Sequence, residues 1–145
     1  MKASRRGEVG ATPEEVWALL RDPYRLPAWW PGVERVEEVS DDAWTKVLRA
    51  PRAGKAVRAD FTLAGCEEPR HLSWRQEIAE SPFERIMSAA SYEFDLEPAG
   101  ETGTRLTLTS RVRLRGMSRL GWLQVRRAAV RRLDEALAGL KELFA

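Results

Sequence analysis

The sequence has little of what disulfide-stabilised, metal-dependent or membrane-spanning proteins require. One cysteine, Cys66, excludes an internal disulfide, and one histidine, His71, excludes a metal site built from several histidines. No run approaches the roughly 20 apolar residues of a membrane-spanning helix, and the start, "MKASRRGEVGATPEE", lacks the apolar segment of a secretory signal. No glycine-rich phosphate loop is present either. We therefore expect a cytoplasmic protein with no metal and no cofactor.

The composition is that of a folded chain with a sizeable core. Of its 145 residues 43% are hydrophobic, and six are tryptophans. A chain of this length fits one domain, which we expect to span residues 1–145. The net charge of +2 is too small to indicate a partner.

Residues 10–23, "GATPEEVWALLRDP", predict a short first helix. Thr12 is placed to cap it, Pro13 suits its first position, and Glu15 can close a capping box. Asp22-Pro23 ends it. A weaker strand pattern, Lys2–Val9, precedes this helix.

From residue 33 the hydrophobic period changes from helical to alternating. Alternation over short connections predicts antiparallel strands with one covered face and one wet face. The candidate strands are "VERVEEVS" (33–40), "AWTKVLRA" (43–50), "KAVRADFTLAG" (55–65), "HLSWRQEIAE" (71–80), "ERIMSAASYEFDLEP" (84–98) and "GTRLTLTSRVRLR" (103–115).

From Gly116 onward the helical period returns, with one apolar face from Trp122 to Phe144. This helix is the only predicted element long enough to cover the apolar face of the sheet. We therefore expect an α+β fold: a curved, seven-stranded antiparallel sheet wrapped around a long C-terminal helix, with two short helical segments between strands 1 and 2. Two layers that meet in this way can enclose a cavity.

The element order, together with the motifs near the start, resembles the START-like helix-grip superfamily, in particular its bacterial polyketide cyclase/dehydrase type. The matching motifs are Val16-Trp17, Asp22-Pro23, Trp29-Trp30 and Pro31-Gly32. The resemblance covers the whole chain in element order and residues 9–36 in motifs. It implies the fold and a hydrophobic ligand, but no catalytic residue, because the superfamily includes carriers, cyclases and receptors.

Trp29 and Trp30 stand side by side in the proline-rich segment "DPYRLPAWWPG". Neighbouring side chains point in different directions, so we expect the two rings to fill different spaces. Either both close the end of the sheet, or one closes it while the other forms a lip of a ligand cavity.

Side chains of matching parity on the strands and the last helix define a candidate cavity wall. Its ligand-binding candidates are Trp29, Trp30, Phe61, Trp74, Gln76, Ser88, Tyr92, Phe94, Leu108, Ser110, Trp122 and Arg126. A mostly apolar wall with a few hydrogen-bonding groups suits a flat, oxygenated hydrophobic molecule such as a polyketide, quinone or lipid. The alternative is a solid core with satisfied polar groups. A bulge in the strand 84–98 would shift the parity.

Arg126 falls near the covered face on a helical wheel. It could hold a carboxylate, enolate or phosphate of the ligand. Alternatively, it reaches the rim or pairs with a carboxylate of the sheet.

Residues 111–132 contain eight arginines and no acidic residue. Such a stretch can contact an acidic membrane or an acidic protein, here through Arg119, Arg127 and Arg131, or it is simply a solvated face. Nucleic acid is a weaker expectation, because no aromatic stacking platform accompanies the arginines. A thiol–imidazole pair of Cys66 and His71 is disfavoured, since His71 has the parity of solvent-facing residues.

Three functions remain open from the sequence. The first is a carrier or sensor of a small hydrophobic ligand. The second is a polyketide cyclase or dehydratase acting on a chain held in the cavity. The third is an interaction module that docks an acidic partner through the arginine-rich start of the last helix.

Overall fold

A computed structural model describes residues 1–49 and 56–145. Its strands and helices are β1 (Lys2–Val9), α1 (Pro13–Leu20), α2 (Leu26–Trp29), β2 (Val33–Glu37), β3 (Ala43–Leu48), β4 (Val57–Glu67), β5 (His71–Gln76), β6 (Met87–Ala99), β7 (Gly103–Leu114) and α3 (Trp122–Leu143). Short 3-10 turns precede α2, β6 and α3. Ala50 and Lys55, the ends of two predicted strands, lie outside the described residues.

The strands form one seven-stranded antiparallel sheet in the order β1-β7-β6-β5-β4-β3-β2. Each strand from β2 to β7 therefore pairs with its neighbours along the chain, and β1 pairs with β7, from Lys2 opposite Arg111 to Val9 opposite Thr104. The 22-residue helix α3 packs against this sheet. The predicted α+β fold with its C-terminal helix held by a curved sheet is confirmed.

The first helix begins as its sequence predicts. The Thr12 side chain accepts a hydrogen bond from the backbone N–H of Glu15, whose carboxylate in turn accepts from the N–H of Thr12. This capping box satisfies two of the otherwise unpaired N–H groups at the helix start. Val16, Trp17, Leu19 and Leu20 then enter the core.

Several strands end earlier than the alternation predicts, because the backbone leaves extended geometry. Glu38 has φ of +51° directly after β2, and Glu80 has φ of +62° four residues after β5. Neither position can continue a strand. In β6 the register with β7 shifts between Met87 and Ala89, which leaves Ser88 as the extra residue of a bulge.

Two contacts near the middle and the C-terminal part of helix α3 help to fix its position. Near its middle, Asp134 Oδ1 accepts a 3.0 Å hydrogen bond from Arg5 Nε on β1. Further along, Gly139 meets the backbone of Trp29: a Cβ at Gly139 would lie 2.7 Å from the Trp29 carbonyl oxygen. The absence of a side chain at Gly139 therefore sets how closely α2 approaches α3.

The core lies between the concave face of the sheet and the helices α1, α2 and α3. Its fully buried members come from every layer, for example Val16, Leu72, Phe94, Leu106 and Leu140. None of the helices in residues 1–49 and 56–145 is long and apolar enough to cross a membrane.

Candidate functional site

Seven aromatic side chains form one cluster under the centre of the sheet. These are Trp29, Trp30, Trp44, Phe61, Trp74, Tyr92 and Phe94. Antiparallel pairing explains the meeting, since directly opposed residues share a face: Trp44 lies opposite Phe61, and Trp74 lies opposite Tyr92. Helix α2 supplies the tryptophan pair from the other side.

Trp29 and Trp30 occupy adjacent spaces within this one aromatic cluster. Their rings meet edge to face with centroids 5.6 Å apart, and both rings contact Trp74 and Phe94. The backbone explains the result: Trp29 ends α2, whereas Trp30 is extended, with φ −87° and ψ 127°. This change of conformation at one residue turns both indoles toward the sheet.

A cavity of about 500 Å³ opens beside this cluster, between the sheet and α3. Its sheet side includes Lys46, Leu48, Ala59, Phe61, Gln76, Ala90, Tyr92 and Val112. Its other walls include Trp30, Pro31, Gly32, Phe83, Ile86, Met87, Val125, Ala128, Ala129 and Arg132. Ile86 and Ala128 are exposed and mark its mouth.

Few polar groups face this cavity. Arg132 Nη1 donates a hydrogen bond to the Tyr92 hydroxyl at 3.2 Å, which links α3 to the middle of β6. Gln76 and Arg49 also reach the wall. None of the described residues that line the cavity is an aspartate, a glutamate or a histidine.

The side chain of Lys46 is enclosed by aromatic rings. Its residue is only 1% exposed, yet it forms part of the cavity wall. The amine nitrogen Nζ lies 4.1 Å from the ring centroid of Phe61, 4.4 Å from those of Trp30 and Trp74, and 5.4 Å from that of Tyr92. We call these four rings the Lys46 cage. Within the described part of the chain, Nζ has no hydrogen-bond partner.

The surroundings of Lys46 disfavour its charged form. Burial, and then the positive charge of nearby Arg132, hold the pKa of Lys46 well below its usual range. The aromatic rings act in the opposite direction, since a cation over a ring gains about 0.5–2 kcal/mol. Desolvation of an unpaired ammonium costs several kcal/mol and is the larger effect.

The predicted ligand-binding residues fall into three groups in the structure. Four line the cavity: Trp30, Phe61, Gln76 and Tyr92. Five are buried elsewhere in the core: Trp29, Trp74, Phe94, Leu108 and Ser110. Three are exposed: Ser88, Trp122 and Arg126.

The exposed three correct the parity and wheel assignments. Ser88 is the extra residue of the β6 bulge and lies outside, while Met87 and Ala90 line the cavity. Arg126 is exposed, so its expected position near the covered face is wrong. Trp122, at the first turn of α3, is 53% exposed. The covered face of α3 begins one turn later, with Val125 and Ala129.

Three polar residues that line the cavity, Lys46, Arg49 and Arg132, were not predicted, although the sequence holds a signal for Lys46 and Arg132. In "AWTKVL" Lys46 has the parity of Trp44 and Leu48, which predicts that it points inward. Arg132 follows Val125, Ala128 and Ala129 at helical spacings of seven, four and three residues.

Cys66 and His71 do not form a reactive pair. Cys66 is exposed, and His71 Nδ1 lies 2.7 Å from Asp95 Oδ1 on the adjacent strand β6. This contact lies on the outer face of the sheet, away from the cavity.

An antiparallel sheet that grips a long C-terminal helix and leaves an aromatic-lined cavity between the two layers defines a helix-grip protein of the START-like class. Within that class, the chain belongs to the family described as polyketide cyclase / dehydrase and lipid transport, which matches residues 1–145. No curated protein matches the chain by sequence.

Solved structures of low sequence identity share the fold. A conserved protein from Geobacillus kaustophilus is 20% identical with a TM-score of 0.79, over 99% of this chain and 95% of that one. A START superfamily protein from Mycobacterium smegmatis is 14% identical with a TM-score of 0.78, over 99% and 96%. The di-domain ARO/CYC BexL from the BE-7585A biosynthetic pathway is 21% identical with a TM-score of 0.78, over 98% of this chain and 45% of that one.

Proposed function

We propose that this protein binds a small hydrophobic molecule that carries oxygen atoms or aromatic rings, and that it acts as a carrier or sensor of that molecule. The observation that carries the proposal is the cavity of about 500 Å³ between the sheet and α3. Its volume lies within the range of about 300–1,000 Å³ found for small-molecule sites. Its wall combines apolar side chains with a few hydrogen-bonding groups, as such sites require.

The proposed roles follow from the placement of the side chains. Trp30 and Phe61 offer ring surfaces against which a flat ligand packs. The hydroxyl of Tyr92, oriented by Arg132, and the amide of Gln76 are placed to bind ligand oxygen atoms. Such polar contacts fix the orientation of the ligand, while the apolar wall supplies most of the affinity.

Native mass spectrometry of freshly purified protein tests this proposal. We expect a co-purified small molecule that is released on denaturation. Ala128→Trp, which fills the mouth from an exposed position, should abolish its retention. Ala138→Trp is the matched control, since Ala138 is exposed on the same helix and does not line the cavity. Equal occupancy in both variants would contradict the assignment of the cavity.

A second candidate is a polyketide cyclase or dehydratase. The family description and the structural likeness to BexL, a di-domain ARO/CYC protein of a biosynthetic pathway, support it. The described lining residues offer no carboxylate or imidazole for proton transfer, which favours the carrier or sensor. Turnover of a polyketide-like chain by the purified protein, lost in Ala128→Trp and kept in Ala138→Trp, would reverse that preference.

A third candidate is docking on an acidic membrane, and one observation favours it. Met117, Leu120 and Trp122 are 80%, 77% and 53% exposed next to Arg119. We call these four residues the apolar–basic patch. Exposed apolar side chains beside arginines are typical of surfaces that bind anionic lipid headgroups. Arg127 and Arg131 extend the charge along α3. This docking would bring the protein to the source of a lipid-like ligand.

A further inference from the structure

Among the described residues that border the cavity, Lys46 carries a chemically reactive amine. Ligand binding as proposed above gives this amine no role. Three of the four rings of its cage, Trp30, Phe61 and Tyr92, also line the cavity. Part of the Lys46 side chain lines it too. The amine therefore lies next to the cavity wall, and rotation about the last bonds of its flexible chain would be needed to bring it into the cavity.

The cage and its neighbours favour the neutral form of this amine. The groups packed around it are the indoles of Trp30 and Trp74, the ring of Phe61, the phenol of Tyr92 and the guanidinium of Arg132. No described carboxylate faces the amine, and its pKa is well below the usual range. A solvated lysine has a pKa of about 10.4, so at pH 7 only about one in 2,500 is neutral and nucleophilic. Burial therefore favours the neutral, nucleophilic form of Lys46, as it does for other desolvated lysines.

We propose that Lys46 binds aldehyde or ketone ligands covalently, by forming a reversible imine with the carbonyl carbon in the cavity. The proposal rests on the proposed function, since it requires that the cavity admits a ligand, and it names the chemical class of that ligand. It needs no turnover: an imine holds a ligand until water releases it.

The step balances without an added oxidant or reductant. The Nζ lone pair attacks the carbonyl carbon, and the π electrons of the C=O bond move to oxygen, giving a carbinolamine after a proton passes from nitrogen to oxygen. The carbinolamine then loses the oxygen as water together with the remaining N–H hydrogen, and a C=N bond forms. Hydrolysis reverses both steps.

The pair of Tyr92 and Arg132 suits this chemistry. Arg132 has N–H donors beyond the one that it gives to the Tyr92 hydroxyl, and both side chains line the same cavity as Lys46. Donors beside the amine stabilise the negative charge that develops on the carbonyl oxygen during attack.

Reductive trapping tests the proposal. The protein is incubated at pH 7 with hexanal or 2-naphthaldehyde and sodium cyanoborohydride, which reduces an imine to a stable secondary amine, and modified peptides are quantified. The chain has four lysines, Lys2, Lys46, Lys55 and Lys141, so each site is resolved. The α-amine of Met1, which also forms imines, is quantified separately. We expect at least tenfold faster labelling of Lys46 than of exposed Lys2 and Lys141.

Two variants sharpen the result. Lys46→Met keeps the length and apolar stem of the side chain and should lose the fast adduct while still binding 2-methylnaphthalene, a carbonyl-free analogue. Ala128→Trp should lose both the fast adduct at Lys46 and the binding of 2-methylnaphthalene. Ala138→Trp should keep the adduct and the binding.

The outcomes separate the two proposals. If 2-methylnaphthalene binds but neither aldehyde labels Lys46 faster than Lys2, imine formation is overturned and the cavity remains a binding site. If neither binding nor fast labelling is found, both proposals fall. If 2-naphthoate binds tightly through Lys46 while the aldehydes do not react, Lys46 pairs with carboxylates instead, and imine formation is overturned.

Discussion

Tyr92 on β6 and Arg132 on α3 meet across the cavity through a hydrogen bond of 3.2 Å. This bond joins the two layers of the fold at the point where the cavity separates them. Both partners line the cavity, so a ligand bound as proposed would lie beside this bond. The pair therefore brings two of the few polar groups of the site into direct contact.

Removing the Tyr92 hydroxyl should lower the affinity for oxygen-containing ligands but not for ligands without oxygen. A neutral hydrogen bond contributes about 0.5–1.5 kcal/mol, so Tyr92→Phe should lower the affinity for 2-naphthol by about 2- to 12-fold. The affinity for 2-methylnaphthalene should be unchanged, because the ring surface is kept. Isothermal titration calorimetry with both compounds checks this, and equal losses for both would contradict a polar role of Tyr92.

Replacing Lys46 should stabilise the protein at neutral pH. In the unfolded chain Lys46 keeps its proton up to about pH 10.4, whereas in the native protein it loses that proton at lower pH. Between the pKa of Lys46 in the native protein and its pKa in the unfolded chain, the unfolded state binds more protons. The contribution of Lys46 to the free energy of unfolding therefore rises with pH in this range, by at most about 1.4 kcal/mol per pH unit.

Lys46→Met removes this dependence. Urea unfolding of both proteins from pH 6 to pH 10 should show the variant as more stable at low pH, with the difference shrinking as the pH rises. A constant difference across the range would mean that Lys46 is charged in the native state. Lys141→Met, at an exposed position, is the control and should show no such trend.

Substitutions of the two adjacent tryptophans should have similar effects on stability but different effects on ligand affinity. Trp29 and Trp30 are both buried, but only Trp30 lines the cavity. Trp29→Phe and Trp30→Phe should each lower the free energy of unfolding by about 1–3 kcal/mol, since each removes buried ring area. Only Trp30→Phe should change the affinity for 2-naphthol. A matching change in Trp29→Phe would place both rings at the ligand.

Gly139→Ala should destabilise the protein although alanine is the better helix former. The propensity gain is about 1 kcal/mol, whereas the new Cβ would stand 2.7 Å from the Trp29 carbonyl oxygen, a backbone atom. Moving α2 away would disturb the Trp29–Trp30 packing and should lower Tm by several degrees. Gly121→Ala is the control, because its Cβ would meet only Gln124 Oε1, at 3.8 Å. An unchanged or higher Tm for Gly139→Ala would show that α2 shifts without cost.

The apolar–basic patch should bind anionic vesicles. Co-sedimentation with vesicles containing phosphatidylglycerol should exceed that with pure phosphatidylcholine and fall as salt is raised. The double variant Leu120→Ser, Arg119→Gln should lose the binding to anionic vesicles. Arg105→Gln is the control and should keep it, because Arg105 lies on β7 and pairs with Glu8. Binding that ignores both lipid charge and the patch variant would contradict docking.

The architecture was predictable because local signals agreed with one another. The capping box at Thr12, the alternation in β4 to β7 and the helical period of α3 each specify one element, and antiparallel neighbours leave little freedom of order. The family-level resemblance on Trp29-Trp30 and its flanking motifs pointed to the same fold, which the family match over residues 1–145 confirms.

The site was predicted less completely because its contacts depend on exceptions to periodicity. The bulge at Ser88 reverses parity for part of one strand, and alternation alone cannot locate it. Trp122 at the start of α3 is exposed, and Arg126 points to solvent although its neighbours Val125 and Ala129 line the cavity, so the helical-wheel assignments of both were wrong. Lys46 was missed because a lysine between apolar residues is usually solvent-exposed, and only the closing of the rings around it makes it buried.

The bulge in β6 separates two parts of the chain in which an insertion would have different effects. Below it, from Ala90 to Ala99, every residue is paired in register with β7, so an insertion there would reverse the faces of Tyr92 and Phe94. Ile86 and Met87 precede the bulge and lie at the rim of the cavity. At this point the pairing with β7 accommodates one extra residue, Ser88. A change of length at Ile86 and Met87 would therefore reshape the mouth of the cavity without reversing the faces of Tyr92 and Phe94.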